Sequence, residues 1–188
     1  MNNRRIVLAS GSPRRKELLR EIFSEFEVIP SDVEEIVPGN IETAKTAEFL
    51  ANLKAEHVAK QYTDSLVIGA DTIVVCENEI MGKPKDLDDS RRMLRKLSGK
   101  PHHVITGVAV YLNGKKYCSF SESTEVFFNE MTDSDIEEYV LSGEPADKAG
   151  SYAIQGAGGK FIEKISGDYN NVVGLPVKHL AEIIGTIE

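Results

Sequence analysis

Four segments of this 188-residue chain place charged or hydroxylic side chains where folding alone does not ask for them. The first is Ser10-Gly11-Ser12-Pro13-Arg14-Arg15, which follows the apolar run Ile6-Val7-Leu8-Ala9 and reads as a strand-to-helix turn. Ser12 suits an N-cap, and Pro13 suits the first helical position, where its missing N–H costs nothing. A helix start offers N–H donors and the positive end of the dipole, so it favours anions. Gly11 lets a ligand approach the backbone, and the forked donors of Arg14 and Arg15 match phosphate. Cations at a helix start oppose the dipole, and an anionic ligand would explain Arg14, Arg15 and Lys16. The plainer alternative is an ordinary cap with a solvated basic turn. No GxxxxGK[ST] occurs, and Gly156-Ala157-Gly158-Gly159 lacks the spacing of a dinucleotide fingerprint.

Lys54 is the second. It falls inside the apolar stripe Ala47, Leu50, Ala51, Ala55 and Val58 of a helix expected over 43–60. An ammonium there must snorkel, pair with an acid or meet an anionic ligand. The third is Asp71, within an otherwise apolar strand expected over 66–75. A carboxylate in that setting is costly unless engaged, and metal ligation, general-base work and a structural hydrogen bond all remain open. Glu35, from an acidic loop, could join it at a divalent cation or simply be solvated. The fourth group, Lys83 before Pro84 and Lys148 in Asp147-Lys148-Ala149-Gly150, has surface charge as its default reading. His57, His102, His103 and His179 show no zinc spacing.

The elements that must position these residues alternate early. A strand over 6–9 leads into a helix whose apolar stripe is Leu18, Leu19, Ile22 and Phe23. A second strand is expected over 26–30, followed by the acidic loop and the 43–60 helix. After the 66–75 strand come a turn at Glu77-Asn78-Glu79 and a helix over 88–97. Two β segments, 104–112 and 117–128, are joined by Asn113-Gly114, a strong hairpin signal. Thr132 caps a helix ending at Gly143; short strands near 152–154 and 161–165 and a last helix over 176–184 complete the chain. This is a mixed-sheet α/β pattern in a single domain, with no linker and no repeat.

The chain is 41% hydrophobic, which disfavours disorder, and its net charge of −8 disfavours DNA or RNA as a partner. The charge is unevenly spread. Residues 1–20 carry six cations and one acid, and 81–100 carry seven and three. Residues 21–50 carry one cation and eight acids, and 121–147 carry nine acids and no cation. The two basic stretches hold the candidate phosphate ligands; the second acidic stretch has no evident role beyond solubility. Cys76 and Cys118 form neither a metal nor a disulfide pattern and are expected to be reduced packing residues. The basic start, 1–5, precedes too short an apolar run for a signal peptide, and no apolar stretch approaches a membrane span. No membrane partner and a cytoplasmic location are expected.

Taken together, these segments resemble the Maf (septum-formation-inhibitor) family of nucleotide pyrophosphatases. The resemblance rests on Leu8-Ala9-Ser10-Gly11-Ser12-Pro13-Arg14-Arg15, Glu34-Glu35, Lys54-Ala55, Gly69-Ala70-Asp71-Thr72 and Gly82-Lys83-Pro84. It continues through Gly143-Glu144-Pro145, Asp147-Lys148-Ala149-Gly150, Ile154-Gln155-Gly156, Gly167-Asp168-Tyr169 and Val173-Gly174-Leu175-Pro176. It implies an α/β fold with a mixed twisted sheet, flanking helices and two lobes around a cleft, similar to inosine triphosphate pyrophosphatases. It further implies hydrolysis of a nucleoside triphosphate to the monophosphate and pyrophosphate with Mg²⁺ or Mn²⁺, in a house-cleaning or cell-division context, and a homodimer as a frequent state.

Three positions resemble the dTTP/UTP branch. They are Arg15, where a methylguanosine-directed branch keeps a Trp one residue earlier, Asp71-Thr72 rather than Asp-Gln, and Ile154-Gln155-Gly156 rather than Ser-Glu-Gly. An amide both donates and accepts, so Gln155 suits the O4/N3–H edge of thymine or uracil, normal or modified, with Arg15 donating to a carbonyl. Carried onto this chain, the resemblance implies Arg14, Lys54 and Lys83 on the phosphates with Ser10 and Ser12 at the helix start. Glu35 and Asp71 would hold the metal, with Asp71 as base or chiefly as ligand. A non-hydrolysing nucleotide sensor acting in septum formation and a phosphomonoesterase are the competing classes.

Overall fold

A computed structural model describes residues 4–187; the first three residues and the last, including part of the basic 1–5 stretch, lie outside the described residues. The strands are β1 (Arg5–Leu8), β2 (Glu27–Val28), β3 (Ser65–Cys76), β4 (Glu79–Met81), β5 (Pro101–Leu112), β6 (Lys115–Phe128) and β7 (Ile162–Ser166). The helices are α1 (Pro13–Leu19), α2 (Thr43–Ala59), α3 (Leu87–Leu97), α4 (Asp133–Leu141), α5 (Tyr169–Val173) and α6 (Val177–Ile184). The chain divides into two compact units. The first takes the chain up to Asp71, then Thr106–Glu122 and the stretch from Gly174 onward; the second holds Thr72–Ile105 and Ser123–Val173.

In the first unit the strand order is β2-β1-β3-β5-β6. β1 is parallel to both neighbours, with Leu8 opposite Ile68 of β3 and Val28 of β2. Its core is a cluster of Val7, Ala9, Ala51, Ala55, Val67 and Ala109 with their neighbours, so α2 presents small residues to the sheet. The reason is close approach. A Cβ on Gly107 would lie 2.2 Å from the Ala47 carbonyl carbon, and one on Gly69 would lie 2.6 Å from the Ala51 oxygen. α2 therefore rides directly on strand backbone, an arrangement only glycine permits.

In the second unit β4 lies antiparallel on β3, and β7 lies antiparallel on β6. Leu94, Leu97, Met93, Phe128, Ile136 and Tyr139 fill its core. α4 carries a full capping box between Thr132 and Asp135 and is stopped by Gly143 at φ 78°. The fold is thus α/β with a mixed sheet and flanking helices.

The Asn113-Gly114 hairpin forms as expected, with both residues at positive φ. The strand expected near 152–154 does not form. Gly150 and Ser151 adopt left-handed backbone just before it, and the Ala153 N–H donates to the Tyr139 hydroxyl instead of a ladder. β2 is only two residues long, and neither β4 nor α5 was foreseen.

Candidate active site

Parallel register brings the first pieces together. With Leu8 opposite Ile68, the turn after β1 runs alongside the end of the Gly69-Ala70-Asp71 stretch. The Ala9 N–H donates to the Ile68 carbonyl at 2.8 Å, extending the pairing by one residue. Ser12 caps α1 as the sequence indicates, its hydroxyl accepting from the Arg15 N–H, and Pro13 opens the helix.

Arg15 binds this corner internally. Its Nε donates to the Gly174 carbonyl at 2.8 Å, and Nη1 donates to the Ala70 carbonyl at 2.9 Å and to Ser10 Oγ at 3.1 Å. Burial pulls its pKa below the usual arginine value, opposed by Asp71 and Glu35 and assisted by Arg14. Arg14, one residue earlier, makes no hydrogen bond or ion pair among the described residues and is half-buried. Position along one helical turn separates the two arginines: one is a clamp and the other is available to a ligand.

Lys54 answers the question its place in an apolar stripe raised. Its ammonium donates to Asp71 Oδ1 at 2.6 Å and lies 2.9 Å from Glu35 Oε2. The Lys54 and Asp71 side chains are 15% and 12% exposed, whereas Glu35 is 48% exposed. The Ala51–Ala55 turn lies on Gly69, which sets the Lys54 stem beside the strand two residues before Asp71. Asp71 Oδ2 accepts no hydrogen bond among the described residues. The acidic loop is fastened to α2 a second time, through Asp32 and His57 at 2.8 Å.

All of these residues lie in the first unit; Thr72, Lys83 and Gln155 belong to the second. Lys83 is exposed and makes no ion pair among the described residues. Gln155 is exposed as well, on a bend after Tyr152 and Ala153. Thr72 is half-buried. Lys148 pairs with its neighbour Asp147. Among the described residues, most cations of the basic stretch 81–100 are taken up in ion pairs, whereas its phosphate-ligand candidate Lys83 is not. Arg91 pairs with Glu137, Arg95 with Asp133, Arg92 and Lys96 with Glu79, and Lys100 with Glu77. The acidic stretch 121–147 thereby acquires a role that composition did not disclose.

The sequence suggests Glu35 beside Asp71 at a divalent cation and leaves the acid that would pair with Lys54 unnamed; the structure joins all three through the lysine. Residues that hold the 153–158 segment of the second unit, above all Glu144 and Tyr139, were missed. A carboxylate five residues after a helical Tyr, beyond a helix-stopping glycine, was the available signal.

Two solved structures share the fold. The Ham1 protein of Staphylococcus aureus aligns over 97% of this chain and 98% of its own, with a TM-score of 0.56 and 17% identity. A HAM1 protein from Coxiella burnetii aligns over 98% and 100%, with a TM-score of 0.52 and 18% identity. At that identity the likeness is one of fold. The chain belongs to the Maf family: the family model described as Maf-like protein matches residues 5–187. Similar proteins are the "dTTP/UTP pyrophosphatase" of Alkaliphilus metalliredigens, 50% identical over 96% of this chain and 94% of that one, and its namesake in Geobacter sp. (strain M21), 47% identical over 100% and 97%.

Proposed function

We propose that this protein hydrolyses dTTP and UTP to the nucleoside monophosphate and pyrophosphate. The observation that carries the reading is the Glu35–Lys54–Asp71 cluster, in a chain about half identical to dTTP/UTP pyrophosphatases along nearly its whole length. A carboxylate held by an ammonium through one oxygen keeps its second oxygen to take a proton at a polyanionic substrate.

Arg14 and Lys54 neutralise charge on the phosphates, with Lys83 assigned the same task in the second unit. Asp71 is held by Lys54 through Oδ1, and Oδ2 takes the proton of the water that attacks the α-phosphorus. The bond from that phosphorus to the bridging oxygen breaks, and pyrophosphate leaves. Arg15 keeps Ser10 and the Ala70 carbonyl in place beside Asp71, and Gln155 reads the pyrimidine edge.

Among the described residues no group of three or more His, Cys, Asp or Glu is placed to hold a metal. Glu35 and Asp71 supply carboxylate oxygens, the donors that Mg²⁺ and Mn²⁺ take while completing their shells from water and phosphate, and the Lys54 ammonium occupies the point between them. These two residues would hold the ion, which when bound supplies charge neutralisation at the phosphate oxygens.

The test is product analysis with UTP, dTTP, CTP and GTP in the presence of Mn²⁺. Pyrophosphate with UMP or dTMP is expected; orthophosphate, or binding without turnover, would overturn the assignment. Asp71→Asn should lower kcat at least ~100-fold, the usual scale of a general base. Near-normal kcat would remove Asp71 from that role.

A further inference from the structure

The loop bearing Gln155 is pinned on both sides by one carboxylate and one phenol. Glu144 Oε2 accepts from the Ala157 N–H at 3.0 Å, and Oε1 accepts from the Gly158 N–H at 3.1 Å. The Tyr139 hydroxyl donates to Glu144 Oε1 at 2.7 Å while accepting from the Ala153 N–H at 3.1 Å. The chain of bonds thus fixes residue 153 before Gln155 and residues 157 and 158 after it. Gly156 sits against the carboxylate at φ 146°, where a Cβ would come within 2.5 Å of Glu144 Oε2. Tyr139 is 2% exposed, so the anchor is rooted in the second unit's core, whereas Gln155 is exposed. Gly143 in left-handed backbone turns the chain after α4 and returns Glu144 towards Tyr139.

We propose that Glu144 is a positioning residue for base recognition: with Tyr139 it holds the 153–158 backbone so that the Gln155 amide is presented in one place. The inference rests on Gln155 reading the base, as argued above. A mobile glycine-rich segment could offer the same amide only after an ordering cost at each binding event, and such a cost appears as weaker binding. Charge-assisted acceptance of two backbone N–H groups removes that cost in advance. Glu144 keeps its pKa low accordingly: burial works to raise it, but the Tyr139, Ala157 and Gly158 donors outweigh burial.

Glu144→Gln tests the proposal with little change of shape, since it turns one acceptor into a donor facing an N–H. Hydrogen exchange of the Ala157 and Gly158 amides should accelerate at least ~10-fold, the scale of losing a charged hydrogen bond. KM for UTP should rise at least ~5-fold with kcat within ~2-fold, the pattern of lost ground-state and transition-state binding alike. The ratio of kcat/KM for UTP to that for CTP should move toward the value of Gln155→Ala, measured in parallel. Tyr139→Phe, which spares the carboxylate, should shift KM in the same direction and serves where Glu144→Gln fails to fold. A lowered Tm with unchanged KM and UTP:CTP ratio would make Glu144 merely structural, and unchanged exchange would remove the anchor itself. If Gln155→Ala leaves the ratio unaltered, base reading by Gln155 falls and this proposal falls with it. If Gln155→Ala collapses the ratio and Glu144→Gln does not, only the Glu144 role falls.

Discussion

Arg14 and Arg15 differ in sequence by one position and in the structure by everything that matters to a ligand. Arg15 meets three acceptors from three separate stretches of the first unit, two of them backbone carbonyls. An ammonium has neither the plane nor the reach to serve Gly174, Ala70 and Ser10 together. Arg15→Lys should therefore leave at least one carbonyl without a donor and cost about 1–3 kcal/mol in urea unfolding. Arg14→Lys, with no protein acceptor to lose, should leave unfolding within about 0.5 kcal/mol and act on KM instead. Equal destabilisation by both changes would contradict the division of labour. The pair also shows the limit of motif reading. Both are basic residues in a helix's first turn, and only the 100° step between successive helical side chains decides which one turns inward.

At the scale of elements, α2 does the most positioning, and it does so through what its neighbours lack. Its stripe of Ala47, Ala51 and Ala55 is legible as an amphipathic pattern, and Lys54 stands out within it. The glycines that receive it, Gly69 and Gly107, lie in strands, where glycine signals close approach without naming the partner. Pattern alone therefore leaves the lysine's pairing with Asp71 as one alternative among several, and only the docking of α2 on these glycines decides it. Gly107→Ala should push α2 off the sheet, because the contact is with the Ala47 backbone rather than a flexible side chain. A cost of about 1–3 kcal/mol or more is expected in urea unfolding, together with a fall in kcat as Lys54 shifts. Gly39→Ala, where a Cβ meets nothing within 4 Å, should stay within about 0.5 kcal/mol and is the matched control. The strand expected near 152–154 failed for a related reason. Tyr152 and Ala153 are buried, but left-handed backbone at Gly150 and Ser151 and a side-chain hydroxyl acceptor replace the ladder.

For the molecule as a whole, the net charge of −8 conceals two different uses of charge. The α3 cations and the acids of α4 and of the turn after β3 are spent on one another, whereas Glu35, Lys54, Asp71 and Arg14 stay together around one corner. Acid acts on the fold elsewhere as well, and one group that responds before the carboxylates is a buried imidazole. His102 is 1% exposed, with its Nε2 2.8 Å from the Tyr152 hydroxyl and its ring edge-on to Phe128 at 4.9 Å. Burial pushes its pKa down to about 4, with His103 adding to the shift. Between pH 6.5 and about 4 the unfolded chain therefore binds a proton that the folded chain refuses. Stability is full above 6.5 and falls as pH drops, by up to on the order of 3 kcal/mol from this group. Glu79, held low by Lys96 and Arg92, and Asp135, held low by Thr132, contribute stability that is present above the ordinary carboxylate range and lost only below it. Urea unfolding at successive pH values should show the loss beginning near 6.5, well before the carboxylates titrate. His102→Gln will lower stability at pH 7 but should flatten the curve between 6.5 and 4.5. A variant that kept the wild-type slope there would place the acid sensitivity in some other group.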